Sequence, residues 1–181
     1  MGIFRKEEKK VRETIEMYAS GLADKDIEML MSLVALDEDF LMINQDPYEK
    51  IIGAKKFYIK TKEFLKSTDN IDIKIDWMFL SVIEVAAWVN CEMLFIIQRG
   101  NYVTEEKRSI TFILEKRRGD WYIVHIINSV DPSAVKEADE AGNEVSEDTE
   151  IYEPEGRGEK DPETAEAAAE QYARRGADEL D

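Results

Sequence analysis

Residues 105–130 read EEKRSITFILEKRRGDWYIVHIINSV, two β-branched and aromatic-rich runs separated by Arg117-Arg118-Gly119. That pattern predicts a long antiparallel hairpin. A three-residue loop built as a type I turn with a G1 bulge would close it, the glycine supplying the left-handed residue. With that loop Lys116 faces Asp120, Leu114 meets Tyr122, Phe112 meets Val124 and Ile110 meets Ile126. Those positions and Asn128 then share one face. The opposite face holds Trp121, Ile123, His125, Ile127, Ile113 and Thr111, with Thr111 across from His125.

Working outward, residues 71–79 alternate apolar odd positions with Asp72, Lys74 and Asp76, the signature of a half-buried strand. Residues 85–98 form a nearly continuous apolar strand. The N-terminal part is helical. Val11, Ile15, Tyr18 and Leu22 recur at spacings of four, three and four, which predicts an amphipathic helix over 6–23. Asp24 is the expected cap of a second helix over 25–36. A short strand over 40–43 stops at the turn residues Asn44 to Pro47, and a third helix follows Gly53. Two helices, a short strand, a helix and then long strands is the order of an α+β cone, a curved and mostly antiparallel sheet wrapped around the N-terminal helices.

Charge divides the chain. Residues 136–181 hold 17 acidic and five basic side chains, so −12 of the net −16 falls there and the first 135 residues are close to balanced. Past Pro132 few large apolar residues remain, and too little burial is available to offset the entropy of ordering. The expected organisation is therefore one domain over 1–131 and an acidic, largely disordered tail over 132–181. Within the tail Asp161, Pro162 and the Arg174-Arg175-Gly176 ending outline a possible helix at 162–175.

Several classes are disfavoured by composition. No basic stripe interleaved with aromatics is present, and the acidic field repels phosphate, so nucleic acid is not an expected partner. No apolar run approaches the roughly 18 residues of a membrane span, and no secretory signal opens the chain. One cysteine, Cys91, sits in an apolar strand and reads as a buried thiol, which suits a reducing cytoplasm. One histidine and one cysteine cannot assemble a common zinc site. No phosphate-cradling loop or nucleophile elbow is visible, and no cofactor is expected.

Over residues 8–131 the chain resembles the nuclear-transport-factor-2-like superfamily, and within it the SnoaL-like and kinase-association-domain groups. Three stretches carry the likeness: the helical opening YASGLADKDIEMLMSL over 18–33, the IIGAKKF of 51–57 with its glycine before helix three, and the W-x-I-x-H-x-H-x-S ending, matched by Trp121, Ile123, His125 and Ser129. Ile127 stands where many relatives have a second histidine. The resemblance implies that the position of Asn128 lines the cavity. The Phe112, Val124 and Asn128 face, with Met93, is then assigned to the pocket. Trp121, Ile123, His125 and Ile127 fall on the open face, toward a twin subunit. His125 itself is read as structural rather than catalytic, satisfied by a partner subunit or by Thr111.

The same superfamily contains ketosteroid isomerase, in which a helix-one tyrosine stabilises an oxyanion and an aspartate before a proline moves a proton. Tyr18, eight residues before Asp26, and the pair Asp46-Pro47 match those places. A carboxylate beside an apolar cleft gains a raised pKa and accepts a carbon-bound proton, while a phenol stabilises the enolate. Asp-Pro is also a common turn dipeptide and Tyr18 lies on a core face in either case. The second oxyanion acid has no counterpart, Phe112 standing in its place, and the anion-binding arginines of association domains are not matched either. The resemblance thus implies a homodimeric binding or association domain with a mostly apolar cavity for a small apolar ligand. The alternative is an isomerase, dehydratase or cyclase with Asp46 as base and Tyr18 as oxyanion donor. A third reading has the acidic tail bind a basic partner.

Overall fold

The computed structural model describes residues 2–36, 38–45, 48–131 and 136–139. Asp46, Pro47 and the whole of 140–181, including the possible helix at 162–175, lie outside the described residues. The described elements are α1 (Gly2–Ala23), α2 (Ile27–Leu33), β1 (Leu41–Gln45), β2 (Tyr48–Ile52), α3 (Ala54–Lys66), β3 (Asn70–Ile83), β4 (Ala86–Arg99), β5 (Tyr102–Arg117), β6 (Asp120–Val130) and β7 (Lys136–Asp139). This is an α+β arrangement, helices first and then a curved mixed sheet.

Strand order is β2-β1-β6-β5-β4-β3, with β7 pairing β5 beyond the end of β6. The long pairs are antiparallel, while β1 runs parallel to β6 with Asn44 opposite Asn128. The strand β2, absent from the sequence reading, turns back along β1, and four residues of the segment read as tail form β7. Neither carries the long alternating signal of the hairpin.

Helix α1 buries Val11, Ile15, Tyr18 and Leu22, the stripe its spacing predicts, in one core with Met93, Phe95, Ile110 and Phe112 of the sheet. Helix α2 is capped by Asp26, not Asp24: the Asp26 carboxylate accepts from the Met29 amide at 2.9 Å. Gly21 allows the two helices to close, since a Cβ there would lie 3.0 Å from Leu30 Cδ2. Helix α3 contributes Phe57 and Leu65, with Phe57 packed 4.7 Å from the Phe40 ring centre.

The hairpin departs from its expected register. Arg117 pairs with Asp120, leaving a two-residue loop in which Arg118 and Gly119 both take positive φ, 56° and 100°. Two successive left-handed residues define the type I′ turn, whose twist matches that of the strands. A bulge then follows, because Leu114 pairs with Ile123 and Ile113 with His125, so Val124 is the extra residue. The bulge restores the expected inward face for Ile126 and Asn128, while the β6 residues nearer the turn have the reverse of the expected face. Trp121 and Ile123 are consequently core residues, 5% and 0% exposed, and do not belong to the open face. Val124 is half-buried, and His125 and Ile127 point outward. Thr111 faces Ile127 and donates to Asn90 Oδ1, so it does not satisfy His125, whose Nε2 has no partner among the described residues.

Trp121 is also fastened to the start of α1. Its Nε1 donates to Glu7 Oε2 at 2.9 Å, and Lys116 Nζ reaches the same oxygen at 2.8 Å while lying over the indole. Lys10 Nζ donates to the Gly119 carbonyl at 3.0 Å. Donation from Lys116 and then from Trp121 holds the Glu7 carboxyl below its ordinary 4.5. A lowered carboxylate stabilises the fold above its unfolded pKa and loses that contribution as the pH falls through its folded value. Glu7→Gln should therefore unfold with a shallower loss of thermal stability below about pH 4.5 than wild type, as read by melting across an acid pH series. Trp121→Ala should cost about 3–5 kcal/mol in urea unfolding, against about 1 kcal/mol for Val124→Ala. Equal costs would show that the bulge does not divide the two faces.

Candidate functional site

Strand alternation carries one face of β4, β5 and β6 toward the helices. At the turn-proximal end that face is apolar. Farther along, the same parity brings Arg99 of β4, Glu106 and Arg108 of β5, and Asn128 of β6 to a cavity of about 410 Å³. The helices supply Tyr18 and Leu22 from α1 and Phe57, Lys60, Thr61 and Phe64 from α3, while Asn44 and Glu49 come from β1 and β2.

Four of the five charged groups are arranged in pairs. Arg108 donates through Nε to Glu106 Oε2 at 2.9 Å and through a terminal nitrogen to the same oxygen, and its guanidinium lies 4.2 Å from the Phe95 ring centre. A carboxylate on one side and an aromatic face beneath fix a guanidinium that is largely withdrawn from solvent. Lys60 pairs with Glu49 at 3.2 Å. Asn128 Nδ2 donates to Asn44 Oδ1 at 3.2 Å, and Asn128 Oδ1 is buried with no partner among the described residues. Tyr18 sits edge-on to Phe112 with ring centres 5.3 Å apart, and burial raises its pKa, so the phenol stays protonated.

Of the residues assigned to the pocket from the sequence, Asn128 lines this cavity. Met93 and Phe112 are on the same inner face but fully buried and outside the lining, and Val124 is displaced by the bulge. Tyr18 lines the cavity, whereas Asp46 falls outside the described residues. Beside its apolar walls the lining also carries Arg99, Glu106, Arg108, Lys60 and Glu49, which the sequence reading did not assign to it. The signal for the strand residues was present: Glu106 and Arg108 share parity with Ile110 and Phe112, and Arg99 shares it with Phe95 and Ile97. Reading the alternation to the strand ends would have found them.

The chemistry open to this site is narrow. The single histidine, His125, faces the other side of the sheet and cannot act as a base in the cavity. Cys91 donates weakly to the Ile110 carbonyl, and burial pushes its thiol up to about 12, so it offers no thiolate. Among the described residues no cluster of three or more His, Cys, Asp or Glu is placed to hold a metal ion. Nor is any described helix long and apolar enough to cross a membrane.

Residues 11–132 match the model of the SnoaL-like domain. No curated protein matches the chain. Among solved structures it is similar to the hexachlorocyclohexane dehydrochlorinase LinA-type3 of Novosphingobium barchaimii, with a TM-score of 0.63 at 11% identity over 72% of this chain and 91% of that one. It is also similar to a nuclear transport factor 2-like superfamily protein of Salmonella enterica, TM-score 0.63, 16% identity, 67% and 89% covered. A third likeness is an uncharacterized protein with a cystatin-like fold from Caulobacter vibrioides, TM-score 0.60, 13% identity, 70% and 91% covered. At these identities the structures share the fold alone. On the match over most of its length, the chain belongs to the SnoaL-like domain family.

Proposed function

We propose that this protein is a non-catalytic small-molecule-binding domain that works as a homodimer in a reducing cytoplasm. The cavity is the observation that carries the reading. Its volume of about 410 Å³ lies within the range of ligand sites, and it joins aromatic walls to a few fixed polar groups. Its carboxylate Glu106 is held by Arg108 and its histidine is on the wrong face, which leaves binding better supported than proton transfer. The free, buried thiol of Cys91 suits the compartment.

The dimer reading rests on the outer face of the sheet. Trp77, Phe79 and Ile83 of β3 are more than half exposed, Trp88 of β4 and Ile113 of β5 are each 38% exposed, and the Trp77 and Phe79 rings stack. Contiguous aromatic surface of this kind marks an interface, and a second copy would bury it symmetrically. His125 and Ile127 belong to that outer side; Trp121 and Ile123 do not.

One observation favours the enzymatic alternative, an isomerase or dehydratase acting on an apolar carbonyl compound: Tyr18 lines the cavity as a protonated phenol, the form that donates to an oxyanion. Turnover of an enolisable ketone that falls about 10²–10³-fold in Tyr18→Phe would establish this reading over the first. Turnover equal in wild type and variant would remove Tyr18 from that role.

For the dimer, gel filtration with light scattering should give twice the 20.9 kDa chain mass. Phe79→Asp combined with Trp88→Asp should give the single-chain mass with unchanged near-ultraviolet circular dichroism. A wild type that stays monomeric at high concentration would exclude the homodimer.

A further inference from the structure

Asn128 combines three properties. It is 8% exposed, it lines the cavity, and its Oδ1 is buried without a hydrogen-bond partner among the described residues. Buried acceptors are nearly always paired, so an orphan on a residue that lines a cavity marks a place where something else donates. In the placement observed, the amide nitrogen donates to Asn44 Oδ1 across the parallel β1–β6 pair, which leaves the oxygen as the unmatched end. The unmet need is for a donor.

The charges set the rest. Arg108 is matched by Glu106 and Lys60 by Glu49, so the paired groups of the lining sum to zero. Arg99, the other cation in the lining, is solvent-exposed. A ligand cation would meet that excess positive charge, and an anion inside would have to compete with two carboxylates already engaged. Arg108 is the diagonal neighbour of Asn128 on the same face, since Arg108 pairs with Val130 and Ile110 with Asn128. A group that donates to Asn128 Oδ1 while turning lone pairs toward a guanidinium fits both, and a hydroxyl is that group.

We infer that the cavity takes a neutral, largely apolar molecule bearing a hydroxyl group, whose O–H donates to Asn128 Oδ1 while its hydrocarbon packs against Phe57, Phe64 and Phe95. This rests on the small-molecule-binding reading and specifies its ligand class.

Titration calorimetry on the full chain at neutral pH with 1-naphthol, 1-methoxynaphthalene and 1-naphthoate tests it. Wild type should bind the alcohol about tenfold more tightly than the ether, which can accept but not donate, and more tightly than the carboxylate. In Asn128→Leu the preference for alcohol over ether should disappear while both still bind. The wild-type comparison stands even if that variant does not fold. An ether that binds as well as the alcohol, a carboxylate that binds best, or a preference that survives in Asn128→Leu overturns the hydroxyl assignment and leaves a binding domain of another specificity. Saturable binding by none of the three overturns the binding reading itself.

Discussion

One extra residue in β6 decides which side chains this domain has available for packing and which for a ligand. Val124 interrupts the β5–β6 ladder, so the strand changes parity midway. Before the interruption Trp121 and Ile123 enter the core; after it Ile126 and Asn128 do. Without it, the indole that anchors Glu7 and the amide that lines the cavity could not lie on the same face of the sheet. A bulge also sharpens local twist, and a second one lies in β3, where Asp76 is the extra residue between Ile75 and Trp77. Together they allow a sheet of long strands to bend around helices α1 and α3.

The cavity shows how polar groups can be placed inside such a sheet without large cost. Each guanidinium or ammonium that is drawn inward meets a carboxylate, and Arg108 additionally lies on an aromatic face. Isolated burial of the Arg108 or the Glu106 charge would be severely unfavourable, whereas pairing and stacking offset that cost; the Lys60–Glu49 pair stays largely in solvent. The Asn44–Asn128 pair follows the same logic only partway, with one amide oxygen left over.

Much of the fold was legible in the chain. The spacing of Val11, Ile15, Tyr18 and Leu22 and the alternation of 71–79 come directly from burying one face, so periodicity reveals them. What periodicity cannot reveal is an interruption of itself. Glycine at 119 suits a two-residue or a three-residue loop, and Arg118 gives no hint of its positive φ, which asparagine or glycine would have supplied. The register error of one residue at the turn grows to two past the bulge, which returns Asn128 to its expected face but not Val124 or Trp121. The site was less legible for a different reason: Arg99, Glu106 and Arg108 look like ordinary surface charges at the strand ends, and only their shared parity with Ile97, Ile110 and Phe112 puts them on the inner face. The cap of α2 was misplaced because Asp24 and Asp26 are equivalent candidates in composition, and backbone geometry at Asp26 separates them.

The short strand β7 extends the covering of β5 past the close of the hairpin. After Val130 the chain leaves the ladder and comes back at Lys136 to the same side of β5, covering the backbone of Tyr102–Glu105. A fragment cut at the close of the hairpin would leave those amides and carbonyls as an uncovered margin, open to any extended peptide that met it. A piece that keeps this margin covered therefore runs to at least Asp139.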